Sequence, residues 1–417
     1  MGMMNRTRLF LSIFLALFIG TACAQTKLKT GTWRGILTNE SKHQLPFNFE
    51  VSNVGDKQQI TIINGTEHYK VPDVTTNGDS VFVKMPLFDS EFRLKLGNDH
   101  LSGHWIRHLG DHDSALPFTA TANTSWRFSK NVEKPAYDIS GRWAAVFGEG
   151  TDGRDELVGE FKQDGNKLTG TFLSTTGDYR YLEGSVSGDR MYLSCFDGCH
   201  AFIFTAKIKD GNTIVDGENY SGYSAFTKWT AVKNANAKLP DAYSLTALKP
   251  GYKTINFTFP DIDGKKVSLS DARFKNKVVI VQMLGSWCPN CMDETNFIIN
   301  SGYYKKYHPK GLEIIGLAYE RTNDFKKSQK TLAQLKDHFN IPYPLLITGY
   351  TPSKGDPMKS LPALADFKGF PTTIIIDKKG NVRKIHTGFN GPGTGNHYTE
   401  FIVEFDKLTE DLLAEKG

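Results

Sequence analysis

Residues Lys277-Val-Val-Ile-Val-Gln-Met-Leu284 run straight into Gly285-Ser-Trp287-Cys288-Pro289-Asn290-Cys291. This junction constrains the fold more than any other stretch of the chain. A near-continuous apolar run of this length belongs to a strand buried on both faces of a sheet. Proline fits the first position of a helix, where its missing N–H would have had no partner. Cys288 is then the N-cap, its sulfur turned toward free backbone N–H groups and the positive end of the helix dipole. Both favour thiolate over thiol and place the Cys288 pKa below the ~8.5 of a free cysteine. Thiolate is the attacking species in disulfide exchange. Cys291 lies one turn further on the same side, more buried, placed to resolve a mixed disulfide formed by Cys288. Trp287 is expected to shield one side of the pair.

Half of a zinc site is the competing reading. Zinc needs two further ligands at compatible spacing, and only Cys195 and Cys199, far upstream, offer them. No metal and no cofactor is expected. A peroxidatic cysteine would closely follow a Pro-x-x-x-Thr run, and no cysteine here does.

The flanking sequence alternates strand and helix, as an α/β domain does. A helix is expected from about Pro289 to Tyr307, a buried strand over Leu312–Tyr319 and a helix over Phe325–Phe339, spaced by Leu332, Leu335 and Phe339. Thr372–Asp377 and Val382–Thr387 read as a hairpin across Lys378-Lys-Gly380, and Thr399–Leu413 as an amphipathic C-terminal helix. Thr348–Leu361 reads as a surface loop or a lid. Gly388-Phe-Asn-Gly-Pro-Gly-Thr-Gly395 is glycine-rich without a strand–helix phosphate pattern, and reads as a tight structural loop.

Trp287-Cys-Pro-Asn-Cys291 after a buried strand, with Gly369-Phe-Pro371-Thr-Thr downstream, resembles the TlpA/ResA-like extracytoplasmic thiol–disulfide oxidoreductases of the thioredoxin superfamily. The resemblance covers about Phe257 to Leu413, including Phe257-Thr-Phe-Pro-Asp-Ile-Asp-Gly264 and Ser268-Leu-Ser-Asp271. It implies a central sheet flanked by helices and Pro371 in the cis form, facing the cysteines. Trp287, Pro289, Asn290, Phe370 and Pro371 would then contact substrate, the Phe370 backbone serving as a short edge for a client peptide. Cytoplasmic thioredoxins carry an acid six residues before the first cysteine, where this chain has Gln282. Glu320 matches an acid of ResA-like members and is the first candidate to accept the Cys291 proton. Glu294, one turn beyond Cys291, is the second, with a plain helix-dipole role as its alternative. Asn296 stands where the family often has a kinking proline.

The amino terminus is a separate matter. Arg6 and Arg8 precede the short apolar run Leu9–Ile19, and Ala22-Cys23-Ala24 offers a cleavage site, so residues 1–24 read as a signal peptide. Lipidation of Cys23 is the alternative, although Gly20 stands where lipoprotein signals usually have Leu. The expected location is the periplasm or cell envelope, soluble or lipid-tethered. Four cysteines remain in two close pairs, in a compartment where disulfides persist.

Between these lie 28–130 and 138–233, each a run of short alternating strands broken by turns such as Gly165-Asn166 and Gly188-Asp189. The two stretches echo one another. Gly31-Thr-Trp33 returns as Gly141-Arg-Trp143, and Asp79-Ser-Val-Phe-Val83 with Phe88-Asp89 returns as Asp189-Arg-Met-Tyr-Leu193 with Phe196-Asp197. The expectation is two antiparallel β units, barrel or sandwich, each closed by an aromatic strand carrying Trp126 or Trp229. They resemble up-and-down barrels of the lipocalin and avidin sort. Trp33, Trp105, Trp126, Trp143 and Trp229 read as core anchors. Cys195-Phe-Asp-Gly-Cys199-His200 has a spacer one residue too long for covalent haem. A hairpin disulfide Cys195–Cys199, two quiet thiols, or a second redox or metal site are its readings. A linker over 234–251 leads to the redox domain, 252–417.

Net charge is +5 without a basic stripe, which argues against a nucleic-acid partner. The expected function is reduction of disulfides in exported client proteins, cytochrome c assembly among the possible settings, with a membrane thiol donor implied by the resemblance. A β-domain binder of client, glycan or cell wall with an accessory redox domain is one alternative. A disulfide oxidase or isomerase is the other.

Overall fold

The computed structural model describes residues 27–353 and 355–417. The signal-peptide reading and Cys23 lie outside these residues. Among the described residues no helix is long and apolar enough to cross a membrane.

The two β units are each a meander whose opening strand pairs antiparallel with its closing strand. In the first, Gly31–Thr38 pairs with Asp113–Ala122 at Trp33↔Ala122. In the second, Gly141–Phe147 pairs with Ala225–Lys233 at Trp143↔Lys233. The internal echo extends to atoms. Trp33 donates its ring N–H to the Lys29 carbonyl at 2.8 Å, and Trp143 donates to Ile139 at 2.9 Å. Gly31 and Gly141 both take positive φ, 108° and 113°, just ahead of these tryptophans, a backbone shape that costs glycine little.

The first unit is a nine-stranded barrel-like sheet. The second closes fully, because Asp155–Asp164 also pairs with Lys167–Ser174. Neither interior has the character of a cup. The free space among Phe47, Phe49, Phe92 and Phe118 in the first is about 20 Å³, room for a water molecule and little more. In the second, Phe147, Phe161, Phe172, Phe204 and Trp229 interlock by stacked and edge-on contacts.

Trp33, Trp105, Trp143 and Trp229 are fully buried, but Trp126 is 37% exposed. The first unit's closing strand ends at Ala122, so Trp126 follows the strand instead of lying in it. It rests under the Arg34 guanidinium, 4.0 Å from the ring centroid.

The C-terminal domain is built on a five-stranded sheet in the order Leu345–Ile347, Leu312–Ala318, Val278–Leu284, Thr372–Ile376, Val382–Thr387. The first three are parallel and the last two form an antiparallel hairpin. Val278, Ile280 and Leu284 face a core shared with helices α1 (Pro289–Asn300), α2 (Tyr303–Tyr307), α3 (Phe325–Phe339) and α5 (Asn396–Ala414). Val279, Val281 and Met283 face Ile255, Phe257, Phe274 and Leu364 on the opposite side. Both faces are therefore covered, which is why the strand reads as an unbroken apolar run.

The single helix expected from Pro289 to Tyr307 is broken into α1 and α2 at Gly302, which takes φ 83°. Part of Thr348–Leu361 folds down as the short helix α4 (Asp356–Ser360), and Ser360 Oγ lies 2.6 Å from the Tyr319 hydroxyl. The end of the 234–251 stretch is already docked on this domain. Thr246 Oγ1 lies 2.8 Å from Thr387 Oγ1, and Leu248 bridges to Leu364.

Candidate active site

Cys288 is the N-cap of α1, and Pro289 opens the helix. The Cys288 sulfur accepts the Cys291 N–H at 3.2 Å, the capping bond expected from the sequence. The two cysteines are joined as a disulfide with Cα atoms 5.2 Å apart. The Phe370–Pro371 bond is cis. The Trp287 ring stands edge-on to Phe370 at 5.7 Å between centroids and donates its N–H to the Tyr319 carbonyl at 2.9 Å. The elements that carry Trp287, Cys288, Cys291 and Phe370 are thus locked to one another through the sheet.

The two candidate acids occupy different places. Glu320 follows the Leu312–Ala318 strand and is buried. Its carboxylate accepts from Ser286 N at 2.8 Å, Ser286 Oγ at 2.6 Å and Thr331 Oγ1 at 3.1 Å. Burial raises its pKa against these three donors. Glu294 is also buried. It accepts from Gln282 Nε2 at 2.8 Å and Thr373 Oγ1 at 2.5 Å, and burial pushes its pKa up to about 7. Gln282 lies on the helix-facing side of the central strand. Gln282 thus meets a buried carboxyl of α1 through one hydrogen bond. A group half-ionised at neutral pH suits proton exchange with a nearby thiol.

Glu294 carries a prediction whose sign follows from its raised pKa. Its ionised form is penalised in the fold but not in the unfolded chain. Its favourable contribution is full below the unfolded value near 4.5 and is lost as pH rises through about 7. Glu294→Gln removes this loss. Urea midpoints are expected to improve relative to the unsubstituted protein at pH 8 and to show no such gain at pH 5. The rate at which Cys291 closes on a mixed disulfide is expected to lose its inflection near pH 7.

Cys195 and Cys199 are free thiols, which corrects the hairpin-disulfide expectation. Cys195 ↔ Phe202 and Phe196 ↔ Ala201 are in register, and Cys195 points into the core of the second barrel. Cys199 sits in the turn and faces the other way. Its thiol donates to the Trp287 carbonyl at 3.2 Å, next to Cys288. Burial pushes the Cys199 pKa up to about 11, keeping it a thiol near neutral pH. Of the readings left open for this pair, quiet thiols is the one that fits.

The second barrel also reaches the side of the cysteine pair that carries Asn290 and Gly369. Asn290 Nδ2 donates to the Thr176 carbonyl at 3.4 Å. A Cβ at Gly177 would stand 2.1 Å from Asn290, and one at Gly369 would stand 2.5 Å from Thr176. A Cβ at Gly388 would meet the Thr175 carbonyl at 2.9 Å, and Gly391 donates its N–H to Asp178 at 2.6 Å. The glycine-rich loop Gly388–Gly395 is therefore a seat for a neighbouring domain as well as a tight loop. Arg180 pins this contact. It pairs with Glu67 of the first unit at 2.6 Å, with Asp197 of the second at 3.4 Å, and with Asp293 of α1.

Comparison with known proteins falls on the same region. Residues 249–400 match the Redoxin family. Residues 249–400 thus carry a Redoxin domain. The thiol–disulfide oxidoreductase ResA of Bacillus thuringiensis is 30% identical over 132 residues, 32% of this chain and 66% of that protein. The thioredoxin-like protein YneN of Bacillus subtilis is 27% identical over 141 residues, 34% of this chain and 73% of that protein. A thiol:disulfide interchange protein of the thioredoxin family from Chlorobium tepidum, of known structure, is 21% identical over 40% of this chain and 100% of its own, with a TM-score of 0.30. Arg180 and Asp178 were not singled out from the sequence, and Gly369, Gly388 and Gly391 were noted only within a motif and a tight loop. Nothing local marks the contact, because Glu67 and Asp293 lie more than 100 residues from Arg180, and Gly391 more than 100 from Asp178.

Proposed function

We propose that the chain is an exported thiol–disulfide oxidoreductase that reduces disulfides of extracytoplasmic client proteins. Cys288 attacks the client disulfide, and Cys291 resolves the mixed disulfide and releases the reduced client. The observation that carries this reading is the capping bond on the Cys288 sulfur, because a donor aimed at sulfur favours the thiolate that attacks. Glu294 is assigned the Cys291 proton, and Glu320 fixes Ser286 just ahead of the pair. Cytochrome c assembly is one setting for such a reductant. A membrane-embedded thiol donor would return the pair to the dithiol state, and lipidation of Cys23 would hold the protein near it. The β units, with packed interiors, would serve by their outer surfaces.

The test is the reduction potential of the Cys288–Cys291 pair, measured against glutathione or dithiothreitol buffers in a chain carrying Cys195→Ala and Cys199→Ala. A value at or below about −250 mV is expected, that of a reductant. A value near about −120 mV would make the protein an oxidant and replace reduction with disulfide formation.

A further inference from the structure

The two sides of Trp287 differ. On the Phe370 side, Thr176 of the second barrel stands against Gly369 and Asn290 and occupies part of the approach to that edge. On the other side a cleft of about 280 Å³ opens at the junction of both β units with the redoxin domain. That volume is at the small end for ligand sites. Ser286 and Trp287, immediately ahead of Cys288, form part of its wall, together with Cys199, Arg107 and Arg321.

The charges of the cleft are unevenly matched. Its carboxylates are engaged: Asp113 with His108 at 2.8 Å, Asp89 with Lys330 at 3.4 Å, and Glu320 with Ser286 and Thr331. Its two guanidinium groups have no carboxylate partner among the described residues. Arg107 reaches the Cys199 sulfur, at 3.9 Å, and lies 5.6 Å from the Trp105 ring centroid, while Arg321 lies over the Trp287 ring, 5.0 Å from its centroid. A guanidinium held by its face against an aromatic ring keeps its N–H edges free for a carboxylate.

We propose that this cleft binds a small carboxylate-bearing thiol or disulfide, which exchanges with Cys288 while the three domains remain closed. The proposal rests on the thiol–disulfide reading above and names a substrate class for that site. With the pair reduced, the Cys288 thiolate attacks one sulfur of the bound disulfide, and the first small thiolate leaves. Cys291 then attacks the Cys288 sulfur. The Cys288–Cys291 disulfide forms and the second thiolate leaves. Two electrons and the two cysteine protons pass in total to the ligand, giving two small thiols. Run in reverse, the same exchange lets two such thiols reduce the pair.

The experiment uses the reduced full chain and three small disulfides: oxidised glutathione (anionic), cystamine (cationic) and bis(2-hydroxyethyl) disulfide (neutral). Each oxidation rate is divided by that of the neutral compound with the same protein, and the anionic-to-cationic ratio is then compared between proteins, so that intrinsic reactivity cancels. Arg321→Glu is expected to lower the ratio by about 10-fold or more at low salt, and Arg107→Gln to lower it less. The difference is expected to collapse near 1 M salt, where charges are screened within about 3 Å. An unchanged ratio in both variants overturns the proposal and leaves the thiol–disulfide reading intact. Failure of all three compounds to oxidise the unsubstituted chain overturns that reading itself.

Discussion

Cys291→Ser is expected to accumulate a stable mixed disulfide between Cys288 and its substrate, whereas Cys288→Ser is expected to abolish exchange. The asymmetry follows from the geometry of α1. The Cys288 sulfur accepts the Cys291 N–H, and Cys288 as a residue is 5% exposed, while Cys291 lies within the helix, fully buried. Only the first can meet a substrate sulfur, and only the second is placed to attack the bond so formed. Loss of the resolving thiol stops the cycle after its first step, so turnover falls by orders of magnitude while a covalent adduct builds up. Loss of the attacking thiol leaves no adduct. The readout is the mass of the chain after incubation with a disulfide, before and after dithiothreitol. Full turnover in either single variant would mean that the two-cysteine mechanism is wrong.

The features read correctly from the sequence are those set by neighbours along the chain. A buried strand followed at once by Cys-Pro-x-Cys fixes the N-cap and the start of the helix within a few residues. The repeated β units were legible for the same reason, since Gly-x-Trp and the two-residue turns act locally. The features misread or missed depend on tertiary placement. The spacing of Cys195 and Cys199 allows a bridge, but strand register turns one sulfur into the barrel and leaves the other against Trp287. Glu320 and Glu294 are both buried acids near the site, and only the structure shows that Glu294 is the one bonded to Gln282. Trp126 carries the same residue type as its four buried counterparts, yet its strand ends four residues earlier. The cover over Asn290 and Gly369 comes from a turn more than 100 residues upstream, and nothing periodic announces it.

Arg180→Met is expected to destabilise the protein by about 3–5 kcal/mol, the cost of leaving buried charges without their partner. Arg180 is 10% exposed, and its three carboxylates Glu67, Asp197 and Asp293 are 13%, 3% and 14% exposed. Burial works against the charge on Arg180, but Asp293, Glu67 and Asp197 outweigh it and raise the pKa well above the ordinary guanidinium value. The benefit is shared unequally. Burial pushes Asp197 up, but His200 and then Arg180 bring it down to about 2, whereas burial keeps Asp293 above its ordinary value despite the same guanidinium. Without Arg180, Asp293 loses its cation and Asp197 keeps only His200, so the folded pKa values of both rise. Stability of the variant is then highest at low pH and falls as the acids ionise, so its deficit against the unsubstituted chain is widest at pH 8 and narrows toward pH 5. Arg180→Lys should recover only part of the loss, because a compact ammonium cannot fork toward three carboxylates at once. Adding Asp293→Asn to Arg180→Met should recover part of it too, by removing one of the stranded charges. Urea midpoints at the two pH values measure all four proteins. A deficit independent of pH would show that packing of the side chain, and not its charge, holds the three domains together.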